Sequence, residues 1–325
     1  MHSTQETHSL RPRTLLPLLQ LTMTALLVIV LIEILATPAP VHADEPVTEQ
    51  TIVSRNGAHW NAPLSSASSF ASFAPNTKPK HKLVGVAPSD GVQTEFSTQS
   101  IIGKDGRVRV KKTEAFPYRA IVYLRIEFEK GITAECTGGL IGPRTIATAA
   151  HCIYDPAWGW AQSARVYPAL NAKIAPFGFA NAIEFYSVQG WITSALPDFD
   201  YGAIQLDSAI GKQTGWLGMS LLKNTDLLKT EVRVTGYPGD KPRQTMWTDA
   251  DRVYRTSPSR LFYSNDTFAG ESGSPVYAGK VGGCANCVVA IHGYGMTEDP
   301  KGRFNSGVRV TPQVLSNYLA WRSLP

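Results

Sequence analysis

The chain has 325 residues, 43% hydrophobic and 18% charged, an ordinary globular make-up with length for one large domain or two small ones. Its formal net charge of +5 is scattered, with no Lys/Arg run interleaved with aromatics, which leaves a nucleic-acid binder without support. The four cysteines are an even number and fit two disulfides if the protein leaves the cytosol.

The N-terminus speaks to that compartment. Arg11 and Arg13 precede an apolar run from Leu15 to Ala36, and small residues follow, ending PAPVHA. Charged, then apolar, then small is the order of a secretory signal, so residues 1–43 read as a signal peptide cleaved after Ala43. The alternative is a retained anchor, because about 20 apolar residues are nominally enough to span a bilayer. Pro17, Gln20 and Glu33 interrupt that run, and its clean core extends only from Ala25 to Ile32. Export places the remainder in a secreted, extracellular setting, with membrane contact only transient. Residues 44–99 are rich in Ser, Ala and Pro and lack strand alternation or a helical stripe. That segment is expected to be poorly ordered on its own.

Texture changes near Ser100. Short β-type runs follow at Ala120 to Phe128, Thr145 to Ala150, Ala203 to Leu206, Glu231 to Thr235 and Val288 to Ile291, separated by Gly, Pro, Asn and Asp clusters. Helical periodicity comes only at the end. There Thr311 can cap, Pro312 suits the first turn, and Val314, Leu315, Tyr318 and Leu319 make one apolar face. Many short strands with one terminal helix indicate an all-β antiparallel barrel or sandwich. No internal repeat is present.

Of seven histidines, only His151 and His292 fall in this folded part. His151 stands in TAAHCIYDP, after an apolar run and directly before Cys152. It reads either as a buried histidine beside a disulfide or as a general base, and partners elsewhere must decide. Asp198 and Asp200 lie in PDFDYGAIQL; Asp200 opens an apolar strand and can be held dry against an imidazole N–H, whereas Asp198 suits a solvated turn. In AGESGSPVY, Ser272 sits in a Gly-flanked turn. Small neighbours let a carbonyl approach its hydroxyl and let the N–H groups of Gly270 and Ser272 converge on one oxyanion. A serine hydroxyl is a weak nucleophile until a base such as histidine takes its proton. Alone, each of these is a turn, a loop charge or a core histidine. Together they give the order His151, Asp200, Ser272, which is the chymotrypsin order; the hydrolase elbow G-x-S-x-G fails because Ser274 stands at its last position.

At these residues the sequence resembles a known family. TAAHC and GESGSP resemble the two signatures of chymotrypsin-like serine peptidases. SIIGKDGRVRV, AFPYRAIVYL, CTGGLIGPRTIATAAHCIYD, DYGAIQL, VTGYPGDKP and DTFAGESGSPV resemble, in order, segments of the bacterial glutamyl endopeptidases. The likeness covers roughly residues 100–325. It implies two six-stranded antiparallel β-barrels with a C-terminal helix, and a Ser-His-Asp triad in the cleft between them. It also implies a propeptide over 44–99, a mature N-terminus at Ser100, and the cystine pairs Cys136–Cys152 and Cys284–Cys287. Protein or peptide substrates, a monomer and no cofactor go with it. A zinc site would need four well-spaced ligands, which the sequence does not assemble, so no metal is expected.

Two readings of the specificity pocket compete. Asp266, six residues before Ser272, taken alone predicts cleavage after Arg or Lys, but the resembled enzymes also carry Asp there. The resemblance assigns the substrate carboxylate to Thr267 and His292, whose hydroxyl and imidazole N–H are suitable donors. Cleavage after Glu, with Asp second, is therefore expected. Glu271 departs from the family, which usually has an amide there. It is expected to receive either the Ser100 amine after processing or a nearby basic side chain. The reading from another class is an inactive homologue serving as a binding module, against which stands the presence of all three triad residues.

Overall fold

The computed structural model describes residues 46–79, 83–84, 100–281, 283–296, 299 and 301–325. The expected signal peptide, the anchor alternative and the stretch just before Ser100 lie outside the described residues.

Four short strands precede residue 100: β1 (Ile52–Ser54), β2 (His59–Trp60), β3 (Ser69–Phe70) and β4 (Leu83–Val84). The next is β5 (Val108–Arg109), followed by β6 (Ile121–Glu127), β7 (Thr133–Leu140) and β8 (Thr145–Thr148). Then come β9 (Tyr154–Asp155), β10 (Gly159–Trp160), β11 (Ser163–Pro168), β12 (Ile174–Ala175), β13 (Ala180–Val188) and β14 (Gly202–Leu206). The second half holds β15 (Gly218–Ser220), β16 (Glu231–Gly236), β17 (Trp247–Thr256), β18 (Arg260–Tyr263), β19 (Pro275–Val281), β20 (Cys284–Tyr294) and β21 (Asn305–Arg309).

These strands close two six-stranded antiparallel barrels. The first runs β11-β6-β7-β8-β14-β13 and shuts by pairing β11 with β13; the second runs β19-β16-β17-β18-β21-β20 and shuts by pairing β19 with β20. The local chemistry fits. IVYLRIE in β6 and GAIQL in β14 are rich in the β-branched, aromatic and apolar residues that fill a pleated, buried surface. Leu124, Ile126, Phe185 and Ile204 are fully buried, each such side chain contributing about 1.5–3 kcal/mol.

The last strand leads into the helix Pro312–Ser323. Thr311 caps it by accepting the Val314 N–H at 3.3 Å, with Pro312 in the first turn. The helix packs on the first barrel through Trp321 and Tyr318, both within 6 Å of the Tyr201 ring. Tyr201 follows Asp200 directly, so this packing fixes the mouth of β14, where Asp200 sits.

Residues 46–79 were expected to be poorly ordered on their own. In the structure they run along both barrels, with β1 paired to β13 and β3 to β15. Their order comes from main-chain bonds to the following domain, which composition does not reveal.

Candidate active site

His151 and Asp200 meet through two hydrogen bonds. Asp200 accepts the His151 backbone N–H on Oδ1 at 2.8 Å, and His151 Nδ1 lies 2.6 Å from Oδ2. Strands β8 and β14 pair side by side, and each delivers one member from its end. Asp200 is wholly buried. Burial pushes its carboxyl up, but the His151 charge and hydrogen bonds outweigh that and hold it below the usual carboxylate range. Burial likewise lowers His151, and Asp200 outweighs it, so the imidazole stands above its ordinary value. With Nδ1–H donated to Asp200, the neutral ring presents Nε2 as its acceptor.

His151 and Ser272 line the same cleft, together with Cys136, Phe268 and Gly270. The serine turn is held from the first barrel. Thr137 on β7 donates its N–H to the Ser272 carbonyl at 2.9 Å and its hydroxyl to the Gly270 carbonyl at 2.8 Å. Its neighbour Cys136 is bonded to Cys152, the residue after His151. One short covalent path therefore connects the strand that grips the serine turn to the loop that carries the histidine. Gly273 has φ +82°, and a Cβ there would stand 2.1 Å from Thr148 Oγ1; Gly270 has φ +96°, with Tyr237 O at 2.5 Å from such a Cβ. Only glycine fits either position. The N–H groups of Gly270 and Ser272 meet no acceptor among the described residues.

Thr267 and His292 lie outside the lining of that cleft but are tied to the serine turn. The His292 carbonyl accepts the Gly273 N–H at 2.8 Å, and its own N–H donates to Ser274 O at 2.9 Å. Its Nδ1 is 2.7 Å from the Tyr263 hydroxyl. Burial and the charge of His151 bring the ring down to about 3, so it is neutral at neutral pH. Thr267 is fully buried, and its hydroxyl has no hydrogen-bond partner among the described residues. Asp266 is committed elsewhere. It accepts the backbone N–H of Ile102 at 2.6 Å and of Gly106 at 2.7 Å.

In the uncut chain Glu271 meets a basic side chain, Arg107. Its Oε2 takes the Phe268 N–H at 2.9 Å and lies 3.6 Å from Arg107 Nη1, both side chains being 1% exposed. Burial pushes the Glu271 carboxyl up to about 8 against the pull of Arg107. Arg107 also pairs with Asp105 and Asp240 at the edge of the network. Sequence reading did not single out Arg107, Thr137 or Tyr294. Tyr294, which hydrogen-bonds Asp200, stands two residues after His292, and Gly293 between them lets Asp200 come close: a Cβ there would be 3.0 Å from Oδ2.

Both expected cystines are present, Cys136–Cys152 and Cys284–Cys287. Cys136, His151 and Cys152 are the one group of potential metal ligands among the described residues. Its two sulfurs are bonded to each other, which leaves His151 as a single donor.

Comparison with known proteins bears on this arrangement. The family described as Trypsin matches residues 106–317. A protein of Bacillus subtilis named extracellular metalloprotease is 37% identical over 231 residues, 71% of this chain and 72% of its own length. A glutamyl endopeptidase of Bacillus licheniformis is 37% identical over 232 residues, 70% and 71% of the two chains. Among solved structures, a Glu endopeptidase in complex with MPD superposes with a TM-score of 0.61 at 31% identity, covering 69% of this chain and 100% of that one.

Proposed function

This chain belongs to the trypsin family of serine endopeptidases, in its glutamyl endopeptidase branch, and on that premise we propose that it cleaves after Glu by means of His151, Asp200 and Ser272. The observation that carries the triad is the two-point grip of Asp200 on His151 in a cleft shared with Ser272. Ser272 Oγ attacks the scissile carbonyl as His151 Nε2 takes its proton, and the tetrahedral oxyanion receives the Gly270 and Ser272 N–H groups. The imidazolium then hands its proton to the leaving amine. Water, deprotonated by the same ring, releases the acyl group. Asp200 holds the tautomer and stabilises the transient imidazolium. All these groups come from one chain, so a monomer suffices.

The preference for Glu rests on Thr267. Its buried hydroxyl has no partner among the described residues, and a buried donor without an acceptor costs about 1–3 kcal/mol, which a substrate carboxylate would relieve. The His292 imidazole is proposed as the second donor, its backbone N–H being bonded to Ser274 O. The competing Arg/Lys reading needs Asp266 free, and that carboxylate is already bonded to two backbone N–H groups. A metal-dependent reading, which the name of the B. subtilis relative would carry, does not fit a histidine whose neighbouring sulfurs form a disulfide. Secretion is supported by the leader, by that relative's extracellular designation and by the two cystines.

The test is a panel of peptides differing only at P1. Glu is expected to be cleaved fastest and Asp second. Leu should be slower by about 10,000-fold, because its side chain leaves the donors unpaired. Thr267→Val should narrow the gap between Glu and Leu. A preference for Lys or Arg would overturn the assignment of the pocket while leaving the triad standing.

A further inference from the structure

Residues 46–79 precede the part matched by the family, yet they occupy a receptor built for an extended chain. On the first barrel, β13 gives the start of one edge to β11 at Ala180 and Asn181; further along, that edge is taken by β1, with Ile52 opposite Val188. Main-chain bonds extend the docking, from Gln189 N–H to Thr51 O and from Gly190 N–H to Glu49 O, both at 2.8 Å. Arg55 returns the contact, donating to the carbonyls of Gln162 and Ile183 at 2.9 Å each. Ile52 and Val53 are buried.

The segment then crosses the C-terminal helix, where Ser65 N–H donates to Ser316 Oγ at 2.9 Å. It reaches the second barrel's side as β3, which pairs with β15. Beyond that, Phe73 and Trp216 exchange two main-chain bonds of 2.9 Å, and their rings lie 4.4 Å apart.

The receiving surface is shaped to admit this backbone. A Cβ on Gly215, at φ +77°, would stand 2.1 Å from Phe73 O; one on Gly218 would clash first with Cys287 Sγ and then with Phe70 O, at 2.6 Å. Arg119, 8% exposed, directs its guanidinium at the carbonyls of Pro75 and Thr77. Buried Asn317 donates to Gln50 O at 3.2 Å. Without the segment, two strand edges would be bare, and bare edges template unwanted pairing. Meanwhile none of residues 46–79 lines the cleft of His151 and Ser272.

We infer that residues 46–79 are a strap that remains bound across both barrels as a separate chain once the protein is cut within 80–99, and that it leaves the catalytic cleft open. The binding mode is strand addition, with main-chain hydrogen bonds giving affinity and the burial of Ile52 and the ring contact of Phe73 with Trp216 giving register. The segment is thus a lasting component of the enzyme rather than a plug. This inference does not depend on the preference for Glu.

The test uses the full chain carrying Ser272→Ala and a recognition site for a sequence-specific protease within residues 88–96. After cutting, size-exclusion chromatography with intact-mass analysis should find both fragments in one peak at micromolar loading. Separate elution of the N-terminal fragment would overturn the inference. Ile52→Asp with Phe73→Ser, both within the strap, should release that fragment while the remaining domain keeps its elution volume; retention would overturn docking through β1 and the Phe73–Trp216 bridge. If the double variant is not recovered folded, mixing the cut complex with labelled peptide 46–79 serves instead. Retention of the original strap, or its replacement in the peak by the labelled peptide, supports the inference, and loss of the strap with no peptide taken up contradicts it. For the open cleft, the same peptide added to the cut enzyme with Ser272 intact should leave peptide hydrolysis unchanged; competitive inhibition would refute that half.

Discussion

Asp200 is the residue on which the proposed chemistry turns, since it both orients His151 and sets the ring's proton affinity. Asp200→Asn should lower kcat by about 10,000-fold, because the amide favours the wrong tautomer. The base must be neutral to accept the serine proton. With its affinity raised, activity should therefore fall as pH drops, on a limb centred above the ordinary 6.5. In Asp200→Asn, burial is opposed only by the smaller pull of Asp155, so the midpoint of the residual activity should move to lower pH. A pH series of kcat/KM on both proteins checks this. Glu271 offers a second case. Arg107→Met removes the pull that opposes burial, so Glu271 should keep its proton to still higher pH, and the loss of stability in urea unfolding should grow as pH rises past about 8. Adding Glu271→Gln should recover more than half of that; a double variant no better than the single would show that Asp105 and Asp240 are the partners that matter. At this scale the sequence was informative about His151, Asp200 and Ser272, because each sits beside an apolar run or a glycine turn that limits its surroundings. It could not find Arg107, which looks like any basic residue until folding brings it against Glu271, 164 positions away in the chain.

Strand β7 connects the two halves of the site. Its Cys136 is tied to the histidine loop and its Thr137 to the serine turn. Replacing Cys136 and Cys152 by alanine frees a loop of 16 residues' separation and should cost about 3 kcal/mol. It should also lower kcat more than it raises KM, because the loss is in alignment of His151 with Ser272. A thermal melt together with steady-state kinetics at a temperature where the variant is folded separates the two effects. Elements differ in how legible they were. β6, β8 and β14 are strongly apolar and β16 alternates, so all four could be read directly, as could the capped C-terminal helix. β17, with the sequence WTDADRVYRT, could not, because it lies half exposed and its charges mask the alternation. β19 opens on Pro275 and reads as the tail of the serine turn.

At the scale of the whole molecule, two closed barrels follow from pairings between distant strands, such as β11 with β13 and β19 with β20. Periodicity indicates strands but not which of them meet, so it is compatible with barrel and sandwich alike, and only the family resemblance implies barrels. The strap was illegible for a related reason: its docking runs largely through backbone N–H and C=O groups, which every sequence has. The barrels matter to function because each supplies one side of the reacting pair, His151 from the first and Ser272 from the second. That union is measured most directly by reacting the folded protein with a fluorophosphonate probe and mapping the adduct by mass spectrometry, in the parent and in Asp200→Asn. The account predicts a single adduct on Ser272, formed orders of magnitude more slowly in the variant. No adduct at Ser272 in folded protein, or equal rates in the two proteins, would contradict it.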